Sequence, residues 1–192
     1  MVTVKRAGKG RSGKIGEAVK EWTKSLLIAF VLAFILKATV VQSYEIPTGS
    51  MEPTIMPGDR VLGSRLVYFF REPIPGEIIT FTPPDCIPRK KTNILGQTIP
   101  FVKRVIAVGG DIIEVRNGQV YRNSVSLNEP YIMRPTCYDL PPTRVPEGKL
   151  FVLGDNRCNS LDSHIWGFLS RDNIKAKAVF RYWPPSRIGI VK

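Results

Sequence analysis

The stretch from Trp22 to Val41 constrains this chain more than any other. It holds the apolar run Leu26–Leu36 and, past Lys37, continues through Ala38, Thr39, Val40 and Val41. A helix of about twenty residues rises about 30 Å, the thickness of a bilayer's hydrocarbon core. The flanks fit the same reading. Seven Lys and Arg stand in residues 1–25 against Glu17 and Glu21, a basic excess of the kind that keeps a segment on the cytoplasmic side, beside anionic lipid. Lys37 falls near the far end, where its stem can snorkel to the interface, and Trp22 falls at the near one. A cleavable export leader begins in the same way, but the residues that follow, KATVVQSYE, contain no clear small-x-small cleavage site. The expectation is a basic cytoplasmic tail over 1–21, one transmembrane anchor over 22–41 and an exported domain over 42–192. The charge of +12 then has a lipid explanation where it is most concentrated.

The exported part reads as mainly β. Beyond Val41 no helix periodicity stands out; short runs rich in Val, Ile, Phe and Tyr alternate with Gly, Pro, Asn and Asp. Strands are expected over 60–64, 77–82, 102–108, 112–116, 119–122, 149–153 and 175–182. Between the fourth and fifth, Asn117-Gly118 supplies the positive φ angles of a two-residue hairpin turn. Polar, proline-rich loops are expected near 83–100 and 128–148. A hydrophobic fraction of 43% suits one main globular domain. Cys86, Cys137 and Cys158 would face an oxidising compartment, where one intrachain disulfide at most can form; which pair makes it stays open. There is no CxxC and His164 is the sole histidine, so neither a metal site nor any cofactor is expected.

Gly8-x-Gly10-x-x-Gly13 has the form of a dinucleotide fingerprint, and Gly8 with Gly13-Lys14 nearly makes a phosphate loop. Both motifs work only between a strand and a helix, so that backbone amides converge on phosphate. No strand precedes these glycines, and Ile15 stands where a metal-binding hydroxyl is needed. A basic tail is the plainer reading.

Ser50 lies between Gly49 and Met51, hemmed by Pro47 and Pro53, and a serine hydroxyl needs a base before it attacks anything. His164, two residues after Asp162, suggests a Ser-His-Asp triad, but an acid and a base so close in sequence do not readily take up the required line of three. A lysine is the other choice, provided that burial keeps it neutral. In FVKRVIAVGGD, Lys103 and Arg104 are neighbours on an expected strand and point to opposite faces, so one can be buried while the other is exposed. Lys103 shares its face with Phe101 and Val105.

PTGSMEPT, FVKRVIAVGGD and GDNRCNSLDSHIWG, in this order behind an anchor, resemble three motifs of the type I signal peptidases, or leader peptidases, over about residues 15–185. The resemblance implies a signal-peptidase-like β fold of short antiparallel strands behind one transmembrane helix, carrying a Ser/Lys-dyad endopeptidase. Ser50 matches the nucleophile and Lys103 the general base. The Ser50 N–H and the Thr48 hydroxyl match the oxyanion hole, Ser160 the hydroxyl that orients the lysine, and Asp162 a carboxylate behind the site. Tyr44, Ile46, Pro47, Met51, Ile55, Val61, Phe101 and Val102 match positions that bind the substrate's small side chains. Implied partners are the signal peptides of exported preproteins, the lipid bilayer and the export translocon. The implied location is the bacterial plasma membrane, with the thylakoid membrane as the alternative and the catalytic domain on the exported face.

This sequence departs from many relatives at Cys158, expected as a small buried side chain, and at His164, which replaces an arginine and would make a pH-sensitive contact with Asp162. Leu66–Phe70 and Trp183 would either fill the core or form a lipid-facing surface. Two rivals remain. A self-cleaving repressor also uses a Ser/Lys dyad but would carry a DNA-binding domain in place of the anchor; an inactive anchored β scaffold would retain the motifs without activity.

Overall fold

The computed structural model describes residues 20–31, 40–87 and 100–192. They fall into two units that meet in sequence at Val40 and Val41. In the first, 20–31 is helical, with Trp22, Leu26, Leu27, Ile28, Phe30 and Val31 all exposed. Among the described residues no helix is long and apolar enough to cross a membrane. Residues 32–39 of the expected anchor and 1–19 of the expected tail lie outside the described ones, as do 88–99 of the first expected loop.

The second unit is mainly β and antiparallel. Its strands are β1 (Val41–Glu45), β2 (Arg60–Ser64), β3 (Ile78–Phe81), β4 (Phe101–Val108), β5 (Ile112–Arg116), β6 (Gln119–Arg122), β7 (Val125–Ser126), β8 (Leu140–Arg144), β9 (Lys149–Leu153), β10 (Leu169–Ser170), β11 (Ile174–Trp183) and β12 (Gly189–Ile190). The larger sheet runs β1-β2-β11-β3-β4-β9-β10, with β12 beside β11, and the smaller runs β7-β6-β5-β8. The β5–β6 hairpin turns at Asn117 and Gly118 with φ of 51° and 74°, as the two-residue loop requires.

β4 is an interior strand, paired with β3 on one side and β9 on the other, and both of its faces are covered. Val102 packs with Ile46, Met51, Ile55, Val61, Ile78, Ala178 and Val191 in one cluster. Val105 belongs to a second cluster with Ile79, Phe81 and Val152. Ile106 and Ala107 join a third, built with Ile113, Val115 and Val120 of the smaller sheet. A strand covered on both faces does not show the buried and exposed alternation of a sheet edge. This corrects the expectation for Lys103 and Arg104: both are buried, at 3% and 2% exposure.

Two other expectations change, and one open alternative narrows. The loop expected over 128–148 contains β8. Phe69 and Phe70, at 75% and 81% exposure, and Trp183, at 51%, are outside the core, although Tyr68, just before them in the chain, packs against the second cluster. Cys158 is exposed and forms a disulfide with Cys137, while Cys86 is free and exposed.

Candidate active site

Ser50 sits in a single 3-10 turn, Gly49–Met51, flanked by extended Thr48 and Glu52. The turn lies over the first core cluster, into which Met51 is buried. From the facing strand β4, Lys103 brings Nζ to 2.6 Å from Ser50 Oγ. Its other hydrogen bond goes to Val102 O at 3.1 Å, and Nζ lies 5.6 Å from the Phe101 ring centre. Burial pushes the lysine down to about 8 against the weaker upward pull of Asp162 and Asp155, because an ammonium is poorly solvated there.

The strand end after β9 and the turn beyond it hold the serine from the other side. Asn156 N–H donates to Ser50 O and Asn156 Nδ2 to Gly49 O, both at 3.1 Å. Asp162, fully buried, accepts Gly154 N–H at 2.9 Å, caps the short helix Ser163–Trp166 through His164 N–H at 3.2 Å, and meets His164 Nδ1 at 2.7 Å. His164 is thereby occupied with Asp162, and its ring stacks on Tyr138 at 3.9 Å. Ser160 is buried but its Oγ has no hydrogen-bond partner; the lysine's two bonds are to Ser50 and Val102, so the contact expected of Ser160 is not made in this state. The Thr48 side chain is exposed and makes no capping bond to the Ser50 turn.

Beside the dyad is a cavity of about 500 Å³ lined by Ile46, Pro47, Thr48, Ser50, Met51, Phe101, Val102 and Lys103. Of the expected substrate residues, Ile55 and Val61 are fully buried beneath it and Tyr44 packs against their cluster. Pro83, Ile87, Pro100, Asn159 and Leu161 line it without having been singled out in the sequence.

Asp155 and Arg104 were also missed. Arg104 Nε and Nη2 donate to the two Asp155 oxygens at 2.8 and 2.7 Å, and the guanidinium lies 3.8 Å from the Tyr131 ring centre. Next to them Arg157, fully buried, pairs with Glu129 at 2.7 Å. Segment 128–139 is thus fastened across the motif 154–164 by an ion pair, a stacked ring and the Cys137–Cys158 bond. Asp155→Ala is expected to destabilise the fold by about 3–5 kcal/mol, since it leaves Arg104 charged and unpaired. Thermal unfolding checks this. The double variant Arg104→Met/Asp155→Leu recovers most of the loss, because the uncompensated charge goes as well.

Residues 19–183 match the family described as signal peptidase, peptidase S26. Among curated proteins, the chain is 47% identical over 171 residues to "Probable signal peptidase I-1" of Synechocystis sp., covering 89% of this chain and 86% of that protein. It is 37% identical over 176 residues to "Signal peptidase I" of Leptolyngbya laminosa, covering 92% and 85%. It is 36% identical over 185 residues to "Thylakoidal processing peptidase 1, chloroplastic" of Arabidopsis thaliana, covering 96% of this chain and 54% of that one.

Proposed function

The chain belongs to the signal peptidase family, peptidase S26, and on that premise we propose that it is a membrane-anchored serine endopeptidase that removes N-terminal signal peptides from exported preproteins. The observation that carries the catalytic part is the buried Lys103 Nζ 2.6 Å from Ser50 Oγ, a distance at which a proton can pass between them. Lys103, when neutral, takes the Ser50 proton as Oγ attacks the scissile carbonyl. The Ser50 N–H and the Thr48 hydroxyl hold the developing oxyanion. The lysine, now an ammonium, gives its proton to the leaving amine and frees the mature protein. Water then loses a proton to the same lysine as its oxygen attacks the acyl carbon, the lysine returns that proton to Ser50 Oγ as the ester bond breaks, and the signal peptide leaves as an acid that ionises to a carboxylate. Ser160 supplies an acceptor for the neutral amine's remaining N–H, and Asp162 organises the turn behind it.

Substrate would bind as an extended strand, with Ala-like side chains in the cavity walled by Ile46, Met51, Phe101 and Val102. The anchor is 22–41, with the basic tail in the cytoplasm and residues 42–192 on the exported face of the plasma membrane or, as the alternative, the thylakoid membrane. Ser50 lies only nine positions past the end of that span, which suits a cut at the membrane's outer edge. The exposed Phe69, Phe70 and Trp183 would contact lipid there, and the translocon would deliver substrate to the same surface.

The test is to incubate the full chain in detergent with a preprotein whose leader ends in Ala-x-Ala, and to determine the N-terminus released. A new N-terminus directly after the second alanine is expected. As pH falls, Lys103 gains its proton and kcat/KM should drop along an acid limb near 8. No cleavage, or a limb at the value of a free lysine near 10.4, would overturn the reading.

A further inference from the structure

We infer that Asn156 is the positioning residue of the oxyanion hole, setting the direction in which the Ser50 N–H points. This role rests on Ser50 being the nucleophile, as proposed above, and adds a residue to that site. The N–H of Ser50 and the C=O of Gly49 belong to one peptide unit. That unit is planar and trans, so its oxygen and its hydrogen lie on opposite sides. Whatever fixes the oxygen therefore aims the hydrogen. Asn156 Nδ2 donates to Gly49 O at 3.1 Å, on the second lone pair of a carbonyl that also accepts Glu52 N–H at 3.1 Å.

The same residue pins the next peptide unit, its own N–H donating to Ser50 O at 3.1 Å. Two peptide planes share the Ser50 Cα, and with both held the direction of Cα–Cβ is held too. One side chain and its backbone thus orient the N–H that meets the oxyanion and the Oγ that attacks.

Asn156 is itself rigidly presented. Its neighbour Gly154 is held at N–H by Asp162 and at C=O by Arg157 Nε at 3.0 Å. Its amide cannot turn over without penalty: Nδ2 faces Gly49 O and, at 3.4 Å, a Glu52 carboxylate oxygen, both of them acceptors, which Oδ1 would repel. Glu52 thereby selects the orientation in which the donor meets Gly49.

Because Glu52 N–H still holds Gly49 O when the side chain is removed, the N–H is loosened and not lost. Deleting an oxyanion donor outright costs about 100- to 1,000-fold in kcat, so Asn156→Ala should lower kcat by roughly 10- to 100-fold. Asn156→Asp keeps size and backbone but sets a carboxylate oxygen against Gly49 O, and should lose more.

The experiment compares wild type, Asn156→Ala, Asn156→Asp and Ser50→Ala on the same preprotein, in full-length detergent-solubilised chain. It measures kcat, KM and the acid limb. It also measures inhibition by a peptide aldehyde, whose carbonyl carbon bonds to Ser50 Oγ while the serine proton passes to Lys103 and the aldehyde oxygen is left as an oxyanion. The inference expects kcat to fall with KM and the acid limb unchanged, and aldehyde affinity to fall in step with kcat/KM. A purely structural role would raise KM, lower the unfolding midpoint in proportion, or leave aldehyde affinity untouched, and any of these overturns the inference. Wild-type kcat in both variants overturns it as well. Cleavage by Ser50→Ala would instead overturn the nucleophile assignment on which it stands, so the two failures are told apart.

Discussion

Ser50→Ala and Lys103→Met are each expected to abolish processing of a preprotein, by about four orders of magnitude or more in kcat, while the protein remains folded. Members of a nucleophile and base pair act as one unit, so losing either removes nearly all that the pair supplies. The double variant should therefore be no slower than either single one. Lys103→Met should also make the protein more stable. Moving the lysine from its ordinary value of 10.5 down to about 8 by burial corresponds to roughly 3 kcal/mol of unfavourable differential interaction with the proton. Folded Lys103 holds its proton less tightly than the lysine of the unfolded chain. The cost is full below pH about 8 and disappears as pH rises towards 10.5. Methionine has nearly the same length and no charge to desolvate, so at pH 7 the variant's unfolding midpoint should rise by several degrees. A variant that is inactive and less stable would contradict the account of the buried amine.

Gly154→Ala should be nearly as damaging, for a steric reason. A methyl group at this position would fall under 3.0 Å from Ser160 Oγ and from Ser50 O. The Ser160 hydroxyl can rotate aside, but Ser160 Cβ, also under 3.0 Å, cannot, and Ser50 O is backbone held by Asn156 N–H. Relief must come from pushing the Ser50 turn away from β9, which carries Oγ away from Lys103. A displacement near 1 Å at reacting atoms costs about 100-fold or more, and overpacking adds about 1–3 kcal/mol of lost stability. Gly189→Ala is the matched control, since nothing lies within 4 Å of a methyl group there and no loss is expected. Comparable activity in the two variants would show that the serine turn is not wedged against Gly154.

The sequence reveals what repeats locally. Four expected strands, β2, β5, β6 and β9, have the expected ends, because period-two patterning and Gly or Asn breakers are properties of a few adjacent residues. β8 was missed because LPPTR carries two prolines, which cannot donate to a ladder. It lies at the edge of the smaller sheet, where prolines are tolerated. β1 was hidden at the end of the apolar span, which absorbed Val41. Within the candidate site, Ser50 and Lys103, whose side chains lie 2.6 Å apart, were pointed to by the family resemblance of the motifs they stand in; strand position alone left open which of Lys103 and Arg104 is buried. Asp155, Asn156, Arg157 and Glu129 were not legible, although three of them stand in a quoted motif. Their partners are Arg104, Ser50 with Gly49, and each other, and pairings between residues distant in the chain leave no periodic mark. The same holds for Arg104, whose burial depends on what covers the second face of β4.

The Cys137–Cys158 bond adds a historical record to the molecule. It joins two segments 21 residues apart that also meet through Glu129–Arg157 and Tyr138–His164, so its sulfurs are brought together by the folding of the catalytic motif itself. Thiols in the cytosol are kept reduced, whereas the space beyond the membrane lets such pairs close. On the proposed topology, an oxidised bond would stamp each copy with the side on which residues 42–192 matured, and a copy stalled before translocation would stay unstamped.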